Sequence, residues 1–142
     1  MSTLVVDASV AVKWLVTEPG SEQAARLLGG NRTLLAPELL FAEAGNALWA
    51  LCRRGDIAPA DYGEAIGVLR TAPVMIPATL RQLTPAAGRL ALDLDHPLYD
   101  CFYLALAMEE SCAVITADTR FADKVGRHSY LQDRLLRLAD LE

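Results

Sequence analysis

Leu4-Val5-Val6-Asp7-Ala8-Ser9 is the stretch on which this chain is read. An apolar run ends on a carboxylate, and a helical pattern begins at once. That reads as a buried strand delivering Asp7 to the carboxyl edge of a sheet. Near the far end, Ala113-Val114-Ile115-Thr116-Ala117-Asp118 repeats the arrangement. In open α/β sheets, ligands gather outside the carboxyl ends of the strands. Two acids delivered to that edge point to a cation site.

Outward from these two stretches the pattern alternates. A helix over Ala8 to Val16, with Asp7 or Ser9 as its cap, is broken by Pro19-Gly20. Ser21 is the expected N-cap of a helix ending at Gly29-Gly30. Thr33 to Ala36 reads as a second strand. Pro37 opens a long helix to about Arg54, stopped by Gly55, with Leu40, Ala44, Ala47, Leu48 and Leu51 at helical spacing. Pro59 and Asp61 open another helix, which ends near Pro73. Val74-Met75-Ile76 reads as a third strand. Leu80 to Leu92 is helical, with a break or cap at Thr84-Pro85. Leu98 to Glu110 is a strongly apolar helix. Ala113 to Thr116 is the fourth strand, and Asp118 to Val125 a short helix. After Gly126 two readings stand: a helix over Tyr130 to Leu141, or an edge strand at Leu135-Leu136-Arg137-Leu138. Strands alternating with helices imply a mostly parallel sheet with right-handed crossovers, sandwiched between helices.

The length of 142 residues fits one domain, 1–142. An apolar fraction of 53% excludes a disordered chain. No apolar run reaches membrane-span length, and no secretory leader is read at the start. Cys52, Cys101 and Cys112 are odd in number, lack a C-x-x-C spacing and sit among apolar neighbours. They read as reduced thiols of a cytoplasmic protein. His96 and His128 are too few and too isolated for a zinc site. The net charge, 13 − 18 = −5, argues against non-specific nucleic-acid binding unless bound metal neutralises several acids.

Several acids sit where a surface role is strained. Glu43 lies mid-helix in Phe41-Ala42-Glu43-Ala44-Gly45-Asn46, with Asn46 three positions on. Asp100 opens the most apolar helix, where a lone ionised carboxylate is costly to bury. Each has a plainer reading. Asp7 and Asp118 suit helix caps, Glu43 an arginine pair, Asp100 the helix dipole, and Asp123 a solvated helix charge. If the acids cluster, a cation is needed. Two carboxylates about 5 Å apart repel by roughly 3 kcal/mol at an effective dielectric near 20. Mg2+ or Mn2+ offsets this, since both favour oxygen ligands. Such ions polarise a phosphoryl oxygen and activate water, which fits phosphodiester hydrolysis. No G-x-S-x-G elbow, Walker loop or G-x-G-x-x-G motif is present.

At these residues the chain resembles the PIN-domain family, specifically the VapC-type ribonuclease toxins of bacterial type II toxin–antitoxin pairs. Val5-Val6-Asp7-Ala8-Ser9-Val10 with Lys13-Trp14 is similar to the first family motif. Glu43 with Asn46-Ala47-Leu48 is similar to the second. Tyr99-Asp100 running into Tyr103-Leu104-Ala105-Leu106-Ala107 is similar to the third, and Thr116-Ala117-Asp118 with Arg120-Phe121 to the fourth. The resemblance covers essentially the whole chain in order. It implies a three-layer α/β/α sandwich around a small sheet of four or five strands. It also implies a metal-dependent endoribonuclease using Mg2+ or Mn2+. Asp7, Glu43, Asp100 and Asp118 would be its acidic metal-site residues. Ser9, Asn46 and Thr116 would support them, with Asp123 a further acid. Ser9 and Thr116 equally suit caps and strand-end hydroxyls. The implied partners are RNA, a second copy in a homodimer, and a VapB-type antitoxin in a heterotetramer or larger assembly. Lys13, Arg53, Arg54, Arg120, Lys124 and Arg127 are candidate phosphate contacts, and Trp14, Trp49, Tyr99 and Tyr103 candidate stacking residues.

Two other classes compete. A catalytically inactive PIN-like module that only binds antitoxin or RNA would be marked by loss of an acid, and all four are present. A phosphoaspartate phosphatase needs a second acid where Ser9 stands. A response-regulator receiver needs an acid pair near its first strand, which is absent.

Overall fold

The computed structural model describes residues 2–141. Strands β1 (Thr3–Val6), β2 (Thr33–Leu35), β3 (Ala113–Thr116) and β4 (Leu135–Arg137) form a parallel sheet in the order β2-β1-β3-β4. Val5 is in register with Leu35 on one side and Val114 on the other, and Thr116 with Arg137. The two central strands are buried on both faces, which explains their unbroken Val/Ile runs.

The helices are α1 (Ala8–Leu15), α2 (Ser21–Leu28), α3 (Leu39–Arg53), α4 (Pro59–Arg70), α5 (Leu80–Leu94), α6 (Leu98–Glu109) and α7 (Thr119–Gly126). From β1 the chain steps one way to β2, then back across β1 to β3. Right-handed crossovers therefore put α1–α2 and α5–α6 on opposite faces, giving the α/β/α sandwich. The strand order reverses between β1 and β3, so a crevice opens at their carboxyl ends. This is where Asp7 and the Thr116-Ala117-Asp118 turn meet. Helix α6 passes under β1 and β3 with every residue from Cys101 to Ala107 buried. A helix apolar all round belongs in the interior, and each large apolar side chain buried there contributes about 1.5–3 kcal/mol.

Three local expectations are revised. Val74-Met75-Ile76 is not a strand: Met75 makes a single parallel bridge to Leu35. Pro73 and Pro77 flank it and cannot donate to a ladder. Helix α5 runs without a break through Pro85. Its start is fixed by a capping box between Thr79 and Gln82, and Pro85 faces solvent. Gly20 takes the N-cap position of α2 in place of Ser21, at φ +93. A side chain there would be strained and would press on Lys13 Cδ and Cε at 3.2 Å. Ser21 Oγ instead accepts from Glu18 N at 3.0 Å and donates to Val16 O at 3.1 Å. In the tail the strand reading holds at Leu135–Arg137, between 3-10 turns at Ser129–Arg134 and Leu138–Asp140. Among the described residues no helix is long and apolar enough to cross a membrane.

Candidate active site

Asp7 stands at the N-cap position of α1, but its side chain makes no capping bond. Its Oδ2 instead accepts from Ser9 Oγ at 2.5 Å and from Thr116 Oγ1 at 2.9 Å. Each hydroxyl also accepts from the turn that follows β3. Ala117 N donates to Ser9 Oγ and Asp118 N to Thr116 Oγ1, both at 3.0 Å. The backbone bond Asp7 N to Ile115 O, 3.1 Å, extends the β1–β3 ladder to the acid itself. Asp7 is thus held rigidly at the crevice floor, 4% exposed, with both side-chain hydroxyl bonds on Oδ2.

Helices α3 and α6 supply two more acids. Glu43, half-buried on α3, accepts from the Tyr103 hydroxyl on α6 at 2.7 Å. Asp100, in the first turn of α6, bonds His96 Nε2 through Oδ2 at 2.5 Å. Their charges reach one another. Burial, and then the nearby Asp100 carboxylate, push Asp7 from its ordinary 3.8 to about 6, against the lowering effect of the Ser9 and Thr116 bonds. Glu43 is raised first by burial, with smaller contributions from the charges of Asp7 and Asp100. The same surroundings push the Tyr103 hydroxyl far above its usual range, so it stays a donor to Glu43.

Three mutually repelling carboxylates at one strand edge suit a hard cation. Among the described residues the side-chain hydrogen bonds of Asp7 and Asp100 all fall on Oδ2, leaving each Oδ1 without one. No group of three or more His, Cys, Asp or Glu side chains among the described residues could hold a metal ion as the side chains stand.

The other expected site residues are placed differently. Asp118 lies at the same edge, yet its Oδ1 caps α7 by accepting from Arg120 N at 3.0 Å and Phe121 N at 3.2 Å. Its plainer reading is therefore realised, with Oδ2 left over. Asp118 also borders a cavity of about 310 Å³ with Lys13, Gln23, Thr119 and Arg137. Asp123 is exposed and ion-paired with Arg137. Asn46 is exposed in a hollow with Trp49 and Tyr62 and makes no bond to the acids. Three residues along a helix turn it about 60° away from Glu43. Lys13 is spent on Glu18 and Pro19 O, Lys124 on Asp95 O, and Arg54 on Asp56. Arg53 lies over the exposed Trp49 ring, 5.5 Å from its centroid. Trp14 is anchored to Ala24 O, while Tyr103 is fully buried.

His96 is the residue the sequence reading missed. Its signal is its spacing, four positions before Asp100 across the start of α6, which places the two side chains together.

The whole chain has known relatives. The PIN domain model matches residues 4–126. Ribonuclease VapC3 of Pyrobaculum aerophilum is 32% identical over 125 residues, covering 85% of this chain and 93% of that protein. Ribonuclease VapC9 of Mycobacterium tuberculosis is 30% identical over 123 residues, covering 84% and 89%. Among solved structures, PAE2754 of Pyrobaculum aerophilum superposes with a TM-score of 0.72 at 19% identity, covering 99% of this chain and 95% of that one. VapBC2 of Rickettsia felis, solved bound to a DNA fragment from its promoter, gives 0.65 at 15% identity, covering 96% and 98%. The sheet, the crevice at its switch point and these matches agree: the chain belongs to the PIN-domain family, in its VapC-type branch.

Proposed function

We propose that this protein is a metal-dependent endoribonuclease that hydrolyses RNA phosphodiester bonds and serves as the toxin of a toxin–antitoxin pair. The observation that carries the chemistry is the coupling of Asp7, Glu43 and Asp100 at the carboxyl end of the sheet, where burial and mutual repulsion raise Asp7 and Glu43. The ribonuclease class is supported by relatives at 30–32% identity whose names carry that activity.

Asp7 and Asp100 would hold Mg2+ or Mn2+ through their Oδ1 oxygens. The ion would supply charge neutralisation at the phosphoryl group and a more acidic water. Ser9 and Thr116 keep Asp7 aimed, and Tyr103 keeps Glu43 aimed. Glu43, with Oε1 held by Tyr103, positions the attacking water and takes its proton through Oε2. Asp118 caps α7 and offers Oδ2 to a water at the rim. Exposed Trp49 and Tyr99 offer ring faces to unstacked bases, the usual route to single-stranded RNA. A VapB-type antitoxin and a second copy of this chain are the proposed partners, in a cytoplasmic assembly.

The test is incubation of purified, antitoxin-free protein with total cellular RNA in Mg2+, Mn2+ or EDTA, beside Asp100→Asn prepared identically. Discrete metal-dependent cuts, absent in the variant, are expected. Equal cutting by the variant would refute the assignment.

A further inference from the structure

The turn between α5 and α6 is built around one side chain. Asp95 takes a left-handed conformation, φ 50, at the end of α5. Lys124 Nζ on α7 donates to Asp95 O at 2.5 Å. His96 N donates back to Ala91 O at 3.1 Å. The imidazole stacks on Phe121, with ring centroids 5.0 Å apart and planes at 29°. Phe121 is itself fully buried. The His96 ring is therefore fixed by its own backbone, by α7 and by the stack before it meets Asp100.

Its side chain is 9% exposed, and Nε2 lies 2.5 Å from Asp100 Oδ2. An ionised carboxylate only accepts, so Nε2 carries the proton. In the neutral ring Nδ1 is then a bare lone pair, and it is buried with no partner among the described residues. A residue placed only to pack on Phe121 would be better served by an apolar side chain, because unpartnered buried nitrogens are costly. The ring's one hydrogen bond goes to an acid of the cluster. The same stack ties Asp100 to α7, since Phe121 N is also one of the two groups capped by Asp118.

We infer that His96 is the positioning residue of Asp100: its Nε2–H holds Oδ2 and leaves Oδ1 as the oxygen presented to a divalent cation. This rests on the metal-dependent reading of the acids given above. Hydrogen-bonding partners of ligand carboxylates typically matter by 10–100-fold in metal affinity.

The test is Mn2+ titration by calorimetry on the full chain, with unfolding curves recorded for every variant. His96→Gln keeps an Nε2–H donor at similar reach, whereas His96→Met and His96→Phe remove it. Cooperative unfolding with about 10-fold or more weaker Mn2+ binding is expected for His96→Met and His96→Phe. His96→Gln should recover most of the affinity. Equal affinity in all three folded variants, or equal loss in all three, would overturn the positioning role. If Asp100→Asn still weakens binding in that case, the acid site itself stands. Should Asp100→Asn bind Mn2+ as the unaltered protein does, the underlying reading and this inference fall together.

Discussion

The Tyr103 hydroxyl lies 2.7 Å from Glu43 Oε1 and joins α6 to α3 across the acid crevice. Tyr103 is fully buried, so the most apolar helix of the chain ends its packing surface on a single polar atom that points at an acid. Buried tyrosine hydroxyls need a partner, and here the partner belongs to the cluster. The bond also favours the ionised form of Glu43, opposing the upward push of burial.

Tyr103→Phe follows directly. The Glu43 carboxyl should rise further above its ordinary 4.5, because the Tyr103 bond that lowers it is gone. If Glu43 takes the proton of the attacking water, cleavage requires its ionised form, and the acidic limb of the pH–rate profile should move to higher pH. Stability should fall by about 1 kcal/mol for one lost hydrogen bond. A pH–rate profile checks this, and an unmoved acidic limb would show that Glu43 does not take part as a base.

Asp7 gives the opposite sign in stability. Its carboxyl is about 6 when folded and 3.8 ordinarily, so between these values the folded state binds more protons than the unfolded one. Folding therefore loses stability as pH rises from about 4 to 6, and the loss is complete above about 6. The full effect is on the order of 3 kcal/mol. Asp7→Asn removes the charge, and its side-chain carbonyl can still accept from Ser9 and Thr116. In EDTA this variant should be more stable than the unaltered protein at pH 7.5, by up to that amount, and should not cleave RNA. The difference between their denaturation midpoints should shrink as pH falls to 4. A pH-independent difference would mean that Asp7 is not destabilised by its charge.

Strand ends were readable in the sequence because they rest on periodicity and on where an apolar run stops. Leu4 to Asp7 and Ala113 to Asp118 needed nothing else, and the parallel direction of the strands followed from the alternating pattern. The bonds of the site were not readable in that way. Glu43 and Tyr103 are sixty positions apart, and no local pattern announces their meeting. The pairing of His96 was hidden for a different reason: one histidine looked too isolated to bind metal, while its role in the structure is to hold an acid. Met75 misled because three apolar residues read as a strand, yet the prolines on both sides limit it to one bridge.

Pro85 tests the fold away from the chemistry. It sits at the sixth position of α5, where an N–H would otherwise bond the carbonyl of Arg81. Alanine restores that bond. Proline costs about 3 kcal/mol relative to alanine inside a helix, offset by roughly 0.4–1 kcal/mol of lost unfolded-state restriction. Pro85→Ala should therefore raise stability by about 2–2.6 kcal/mol in denaturant unfolding, with RNA cleavage unchanged. A loss of stability would show that the α5–α6 packing depends on the proline ring.

Asp118 separates a structural from a chemical duty in one position. Its Oδ1 caps α7, and its charge lies at the edge of the acid crevice. Asparagine keeps a capping oxygen and removes the charge, whereas alanine removes both. Asp118→Ala should cost about 1 kcal/mol of stability through the lost cap, and Asp118→Asn a few tenths at most. If the charge serves the reaction, both variants should lose cleavage while only the alanine variant loses stability. Cleavage by Asp118→Asn at the unaltered rate would assign Asp118 to the cap alone and leave Asp7, Glu43 and Asp100 as the working acids. Thermal unfolding and single-turnover cleavage on the same preparations distinguish the two outcomes.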